Sequence, residues 1–372
     1  MNATVAPMHS GVSLITTLAS RRQQRIALAI AVATLVAFAV AVPFVRVPLA
    51  RMPAFIPSYE AALLFIDLIT AVLLFDQFIR LRMASVLVLA AGYLFDAAVI
   101  VPHALTFPGA FAPTGLLGAK DQTTAWLYVF WHGGFPLFVL AYALLRKRET
   151  ANGKPWIIAD PARAVVFCVA LVAALAVALT LLATQGHDLL PVVMQNGNYS
   201  LLVSKGISPA VWLLTLIAVT ALGQKTQRVV DLWLILVMWI WLFDIALSAV
   251  VGSNRFDLGF YSGRIFGLIA ASFLLVTLIV ELAQMYAGAL STASMAEKQL
   301  AELMRAQKRP DAKPFPNQRP NSFIHRQNIA HYRSLLDSGN IDEERRRSIE
   351  TLLAEEEKRL EQDGPPPDRA TG

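Results

Sequence analysis

From Arg25 to Glu281 the chain is a succession of apolar runs near 20 residues long, separated by short polar connections, and no other feature constrains its fold as strongly. A helix rises about 1.5 Å per residue and hydrocarbon is about 30 Å thick, so each run has the length of one membrane span. Backbone amides in hydrocarbon must be satisfied within the segment, which leaves helices as the solution for runs of this length. Eight spans are predicted, at Ile26–Phe44, Ala61–Phe78, Ala84–Pro102, Ala125–Leu145, Ala164–Thr184, Ile207–Gly223, Val229–Val251 and Gly263–Leu282. The expected fold class is all-α, a polytopic membrane helix bundle of about eight transmembrane helices with a short cytoplasmic helical-hairpin tail.

With 56% hydrophobic and 16% charged residues, the chain departs far from soluble usage, and the bilayer is its expected partner. The net charge of +6 does not point to nucleic acid. Basic and acidic residues balance at 14 each from Gly288 onward, so the excess lies among the spans, where it orients the protein. With the N-terminus inside, the inner connections hold 12 basic residues (including Arg146, Lys154, Arg163, Lys225 and Arg228) and the outer ones 6, including Lys120, Lys205, Arg255 and Arg264. Both termini are therefore expected in the cytoplasm of a bacterial inner membrane. Arg21 to Arg25 leads into a full-length span without a convincing cleavage site, so no cleavable signal is expected. Cys168, the single cysteine, falls in an apolar run and reads as a small core residue.

Composition divides the chain into a cytoplasmic N-terminal segment (1–24), an eight-helix membrane domain (25–287), a helical stub with a proline-rich linker (288–321), a helical hairpin (322–360) and a disordered end (361–372). The stub is expected to reach about Arg309, and the linker to be extended from Pro310 to Asn321. In the hairpin, SGN makes the turn, Asp342 caps the second helix, and Ile329, Tyr332, Leu335 and Leu336 face Ile349, Leu352, Leu353 and Leu360. So small a hairpin buries little apolar area, and self-association or a cytoplasmic partner is expected, against the plainer reading of a solvated tail.

Ionisable groups inside spans are costly and each needs a reason. Asp67, Asp96, His132 and Asp244 all fall about six or seven residues from the outer ends of four different spans, at one common depth. His103 lies seven residues after Asp96, on nearly the same helical side, and Tyr128 and His132 share a face. Arg255 and Arg264 are the expected compensating charges. Two readings stay open: structural pairs that brace the bundle, or a ligand, proton or metal site. No close-spaced metal motif is present, and neither a metal nor a cofactor is specified. The connection Pro102 to Thr124, PHALTFPGAFAPTGLLGAK at its start, is rich in Gly, Pro and aromatics and is expected to fold back as a cap.

FIPSYEAALLFIDLITAVLLFDQF (55–78), AAGYLFDAAVIVPHALTFPGAFAPTGLLGA (90–119), TTAWLYVFWHGGFPLFVLAYALL (123–145) and WLFDIALSAVVGSNRFDLGFYSGR (241–264) resemble the fourth type of bacterial membrane-associated sensor domain (the MASE families), over about residues 15–290. Matching positions are Asp67, Gly92, Tyr93, His103, Phe107, Pro108, Trp126, Trp131, His132, Arg255, Tyr261 and Arg264. The resemblance implies a signal-input module, which in that family typically precedes a histidine kinase or diguanylate cyclase. Together with the depth argument it marks Asp67, Asp96, His103, His132, Asp244 and Arg264 as candidate ligand-binding residues, and Phe107, Pro108, Trp126, Trp131, Arg255 and Tyr261 as the loop and cap. His325 is followed by RQN and His331 by YRS, unlike a transmitter histidine, and no nucleotide-binding glycine box or GGDEF-like motif occurs. The expected function is a non-catalytic membrane sensor acting through its tail on a partner. The alternative is a transporter or membrane enzyme using the Asp/His layer.

Overall fold

The computed structural model describes residues 17–52, 54–151, 156–195, 197–223, 228–252, 254–307, 320–337 and 343–362. These form two compact units, Met1–Gly288 and Ala289–Gly372. The helices in chain order are α1 (Arg21–Ala41), α2 (Phe55–Leu81), α3 (Ala84–Thr106), α4 (Thr123–Ala151), α5 (Pro161–Thr184), α6 (Ser200–Ser204), α7 (Ile207–Leu222), α8 (Val229–Ile245), α9 (Leu258–Gln307), α10 (Pro320–Asp337) and α11 (Glu343–Gln362). No strand occurs among the described residues, and the protein is an all-α polytopic membrane bundle.

Among the described residues, seven helices are long and apolar enough to cross a bilayer, that of α8 being continued by the turn to Val251. The sixth expected span, α7, has 16 residues and reaches about 24 Å, short of the hydrocarbon thickness. It packs against α4 and α8 and is preceded by the short α6 and by Gly206 at φ +74°. In α3, and in α8 together with the turn that continues it to Val251, 67% and 78% of the most apolar stretch is buried, against 11% for the α1 span and 17% for α5. α3 and α8 are therefore the inner helices, while the exposed Val166 and Phe167 of α5 face lipid.

Local chemistry sets the helix ends. Ser20 and Gln23 form a reciprocal capping box at α1. Asp160 caps α5, with Pro161 at its first position, where the missing N–H costs nothing. α2 begins at Phe55, six residues before the expected Ala61, because Tyr59 and Glu60 are enclosed by protein rather than left at the interface. α3 runs through Pro102 to Thr106, whose hydroxyl bonds the Pro102 carbonyl at 2.7 Å. α3 and α4 approach closely because Gly134 has no side chain: a Cβ there would lie 2.3 Å from the Phe95 ring.

At the end of the bundle holding residues 107–122, four connections are laced together. Leu49 N donates to Phe256 O and Leu258 N to Val47 O, both at 2.9 Å. Arg255 N reaches Gly197 O at 3.1 Å, and Gln122 bonds the backbone of Val193 and Met194 at 2.6 to 2.8 Å. Phe107, Ile56, Phe260 and Tyr261 form a small apolar cluster beneath them.

In the second unit α10 packs on α11, with Ile329 buried. α10 starts at Pro320, two residues before the expected Ser322, since proline suits a first helical turn. Leu352 is 42% exposed; the stripe that is at least partly buried is Ile349, Leu353, Glu356 and Leu360. The expected SGN turn and Asp342 cap, most of the linker, Arg309 and the C-terminal end lie outside the described residues.

Candidate functional site

The polar layer is built from pairs of side chains on antiparallel neighbours. On α2 and α3, Glu60 Oε1 is 2.7 Å from His103 Nδ1, both side chains almost wholly enclosed. Seven residues along each helix, in opposite chain directions, the same face brings Asp67 beside Asp96. Both carboxyls are buried, with Tyr93 next to them. Trp131 lies within electrostatic reach of Asp96, yet its Nε1 and Asp96 Oδ1 make no hydrogen bond of normal geometry.

The second half of the layer joins α4 to α8. His132 Nε2 is 3.2 Å from Asp244 Oδ2, and His132 Nδ1 is 3.1 Å from the Tyr128 carbonyl. Both ring nitrogens thus face acceptors, so one proton beyond the neutral ring, on the imidazole or on the carboxyl, completes the set. Ser248 Oγ donates to the Asp244 carbonyl at 2.7 Å, and Tyr128 Oη lies 2.8 Å from Ser248 Oγ. Ser248 belongs to a π-helical turn, Ala246–Val251, that follows α8; such turns re-aim side chains by widening the helix. Against Asp244 lies α9. A Cβ on Gly263 would sit 2.9 Å from Asp244 Oδ1, and one on Gly267 would sit 2.9 Å from both Asp244 Oδ2 and Tyr59 Oη. Glycines four apart therefore let α9 close over the carboxylate.

Above this layer is a cavity of about 40 Å³ lined by His103, Phe107, Tyr128, Tyr199, Arg255 and Arg264 among others. A wider vestibule of about 560 Å³ adjoins it, bounded by Arg51, Phe107, Pro108, Arg255 and Phe256. Arg255 stacks over Phe107 at 4.8 Å and bonds the Thr124 hydroxyl. Arg264 lies 3.6 Å over the Phe260 ring and donates from Nη1 to Phe260 O at 2.9 Å. Burial, then the neighbouring Arg264 charge, pushes the Arg255 guanidinium down to about 10. Burial likewise raises the Tyr199 phenol.

Asp67 is thus brought to Asp96, and His132 to Asp244, with Trp131 between the pairs and in edge contact with His103 at 5.8 Å. Arg255 and Arg264 do not compensate these carboxyls: neither makes an ion pair with them among the described residues. Of the expected cap, Phe107 and Tyr261 share the apolar cluster, Pro108 lines the vestibule, and Tyr261 Oη donates to Ala50 O at 2.7 Å. Trp126 instead bonds Pro191 O at 3.0 Å, and Trp131 sits in the layer. No group of three or more metal-ligating side chains is formed among the described residues. Sequence reasoning missed Glu60, Tyr59 and Ser248. For Glu60 a signal existed, since it precedes Asp67 by the same seven residues that separate Asp96 from His103.

Residues 50–286 match the family described as membrane-associated sensor, integral membrane domain (MASE4). The chain belongs to that family. The match covers α2 to α8 and the bundle part of α9, so the layer and both cavities lie inside the MASE4 domain. The protein is accordingly a multi-pass integral membrane protein with a sensor domain. No curated protein and no solved structure matches it.

Proposed function

We propose that this protein is a non-catalytic receptor of a bacterial inner membrane, in which the buried layer and the cavity above it receive the stimulus and the cytoplasmic tail passes it to a separate protein. The observation that carries this reading is the placement, inside a MASE4 domain, of four ionisable groups from four helices in one layer beneath a small cavity. Burying these groups costs several kcal/mol, a poor way to brace a bundle when apolar packing serves, and a good way to make helix positions depend on a proton or a bound molecule. The 12 to 6 distribution of basic residues supports cytoplasmic termini, and the pairing of α10 with α11 after the bundle supports a tail that can carry the signal onward.

The test is hydrogen exchange at α10 and α11 in the full chain in nanodiscs, across outer pH and with candidate divalent metals, for the native protein and for His132→Leu. Stimulus-dependent tail protection that disappears in His132→Leu, with insertion intact, is the expected result. Identical protection in both proteins under every condition removes the reading. So does substrate uptake or turnover by the purified protein in liposomes.

A further inference from the structure

The inner cavity has two guanidiniums and no carboxylate to match them. Arg264 is buried and Arg255 half-buried, yet among the described residues their polar contacts are one hydroxyl, one backbone carbonyl and the faces of Phe107 and Phe260. Each guanidinium has five N–H donors, so most of their capacity is open. Asp244 is engaged by His132 and Ser248, and Glu60 by His103. Asp121 and Tyr199 also face Arg255, but neither makes an ion pair or hydrogen bond with it. Two like charges held this close repel, and an anion between them relieves that repulsion.

We propose that this cavity binds a small carboxylate anion, with its two oxygens between Arg255 and Arg264 and its short carbon chain against Ala125, Leu202 and Ala249. The shape selects the class. About 40 Å³ accommodates only a few heavy atoms. A planar carboxylate matches the fork of a guanidinium through paired N–H bonds. A tetrahedral phosphate dianion carries more acceptors than these mainly apolar walls can satisfy, whereas a methyl or ethyl group fits them. Phe107 and Arg255 bound both the cavity and the vestibule, and Arg51 lies over Phe256 at 5.6 Å in the vestibule wall. The positive charges therefore run inward from Arg51 through Arg255 to Arg264, in the sense that draws an anion in. The π-helical turn that supplies Ser248 and Ala249 to the cavity follows directly on the Asp244 end of α8 and is bonded to Asp244 through Ser248, so occupancy bears on the His132 pair. The signalling role of this ligand rests on the sensor reading above; its binding does not.

Binding of sodium acetate and sodium propionate to the full chain in nanodiscs, measured by ligand-detected NMR at constant ionic strength, is the test. Saturable binding is expected, weakened roughly 10- to 100-fold in Arg264→Gln and in Arg255→Gln, as befits loss of a charge-assisted pair. Ala125→Leu, which keeps both arginines but fills the cavity, is expected to abolish binding with the fold retained, and serves if an arginine variant does not insert. Absence of saturable binding by the native protein overturns the proposal, as does binding indifferent to all three substitutions. Stronger competition by phosphate or nitrate overturns the carboxylate class. Carboxylate binding without any change in tail exchange supports the site and counts against the sensor reading, while a pH-dependent tail without carboxylate binding does the reverse.

Discussion

Glu60 Oε1 and His103 Nδ1 meet at 2.7 Å between α2 and α3, in a position where neither side chain is more than 2% exposed. Removing one partner strands the other, at about 3–5 kcal/mol in soluble cores. Interhelical bonds in membranes are weaker, averaging about 0.6 and reaching about 1.7 kcal/mol. Glu60→Leu and His103→Leu are each expected to destabilise the bundle by about 2–3 kcal/mol, and the double variant to recover about 1–2 of the sum. Reversible unfolding in mixed micelles measures this cycle. A coupling indistinguishable from zero contradicts the pairing.

The contact between α9 and Asp244 makes Gly267 sensitive to the smallest possible change. Gly267→Ala places a methyl within 2.9 Å of both Asp244 Oδ2 and Tyr59 Oη. The helices must part, at about 1–3 kcal/mol, and the Asp244 to His132 bond lengthens with them. The expected observation is a lowered melting temperature together with a shifted His132 ring resonance. Gly288→Ala, where a Cβ meets nothing, is the matched control.

At the opposite end of the bundle, Asp231 collects the Tyr142 hydroxyl at 2.7 Å, the Arg228 amide at 2.9 Å and an ion pair from Arg146, tying α4 to α8. Tyr142→Phe removes one bond and is expected to cost about 1–2 kcal/mol. Asp231→Asn removes the charged half of the Arg146 ion pair and is expected to cost more, about 3 kcal/mol. Equal melting temperatures for the two variants would falsify the view that the charge, rather than one hydrogen bond, holds this junction.

In the tail hairpin, the hydrogen bond from His325 holds the Glu356 carboxyl below its ordinary value. A depressed carboxylate contributes stability that is present above the ordinary carboxylate range and is lost as pH falls through the lowered value. Exchange protection of α10 and α11 is therefore expected to drop on acidification through that range, and to drop less steeply in Glu356→Gln. An identical acid profile in the two proteins removes this contribution.

Orientation has its own check. Cysteines replacing Lys120 or Lys205 are expected to react with an impermeant thiol reagent added to cells, and those replacing Lys154 or Lys225, which lie outside the described residues, are not. The reverse pattern inverts the protein and places its tail outside.

Much of the bundle is legible from hydropathy because each span satisfies its backbone internally, so length and apolarity suffice to find it. The depth of Asp67, Asp96, His132 and Asp244 was legible for the same reason: a residue's level in a straight helix follows from its distance to the helix end. The start of α2 was not, since Glu60 looks interfacial until its partner on α3 is known.

By itself, the sequence determined the all-α membrane class, seven of the eight expected spans, the level of the polar groups and the family resemblance, all of which depend on local composition or on spacing along one helix. Only the tertiary structure decided which groups meet. Azimuth around each helix and the close approach permitted by Gly134, Gly263 and Gly267 sorted four residues of equal depth into Asp67 with Asp96 and His132 with Asp244. The same packing turned Arg255 and Arg264 away from those carboxyls and into the cavity beneath the cap. Partner choice between helices is a property of the packed bundle, because every candidate pairing at one depth is equally compatible with hydropathy.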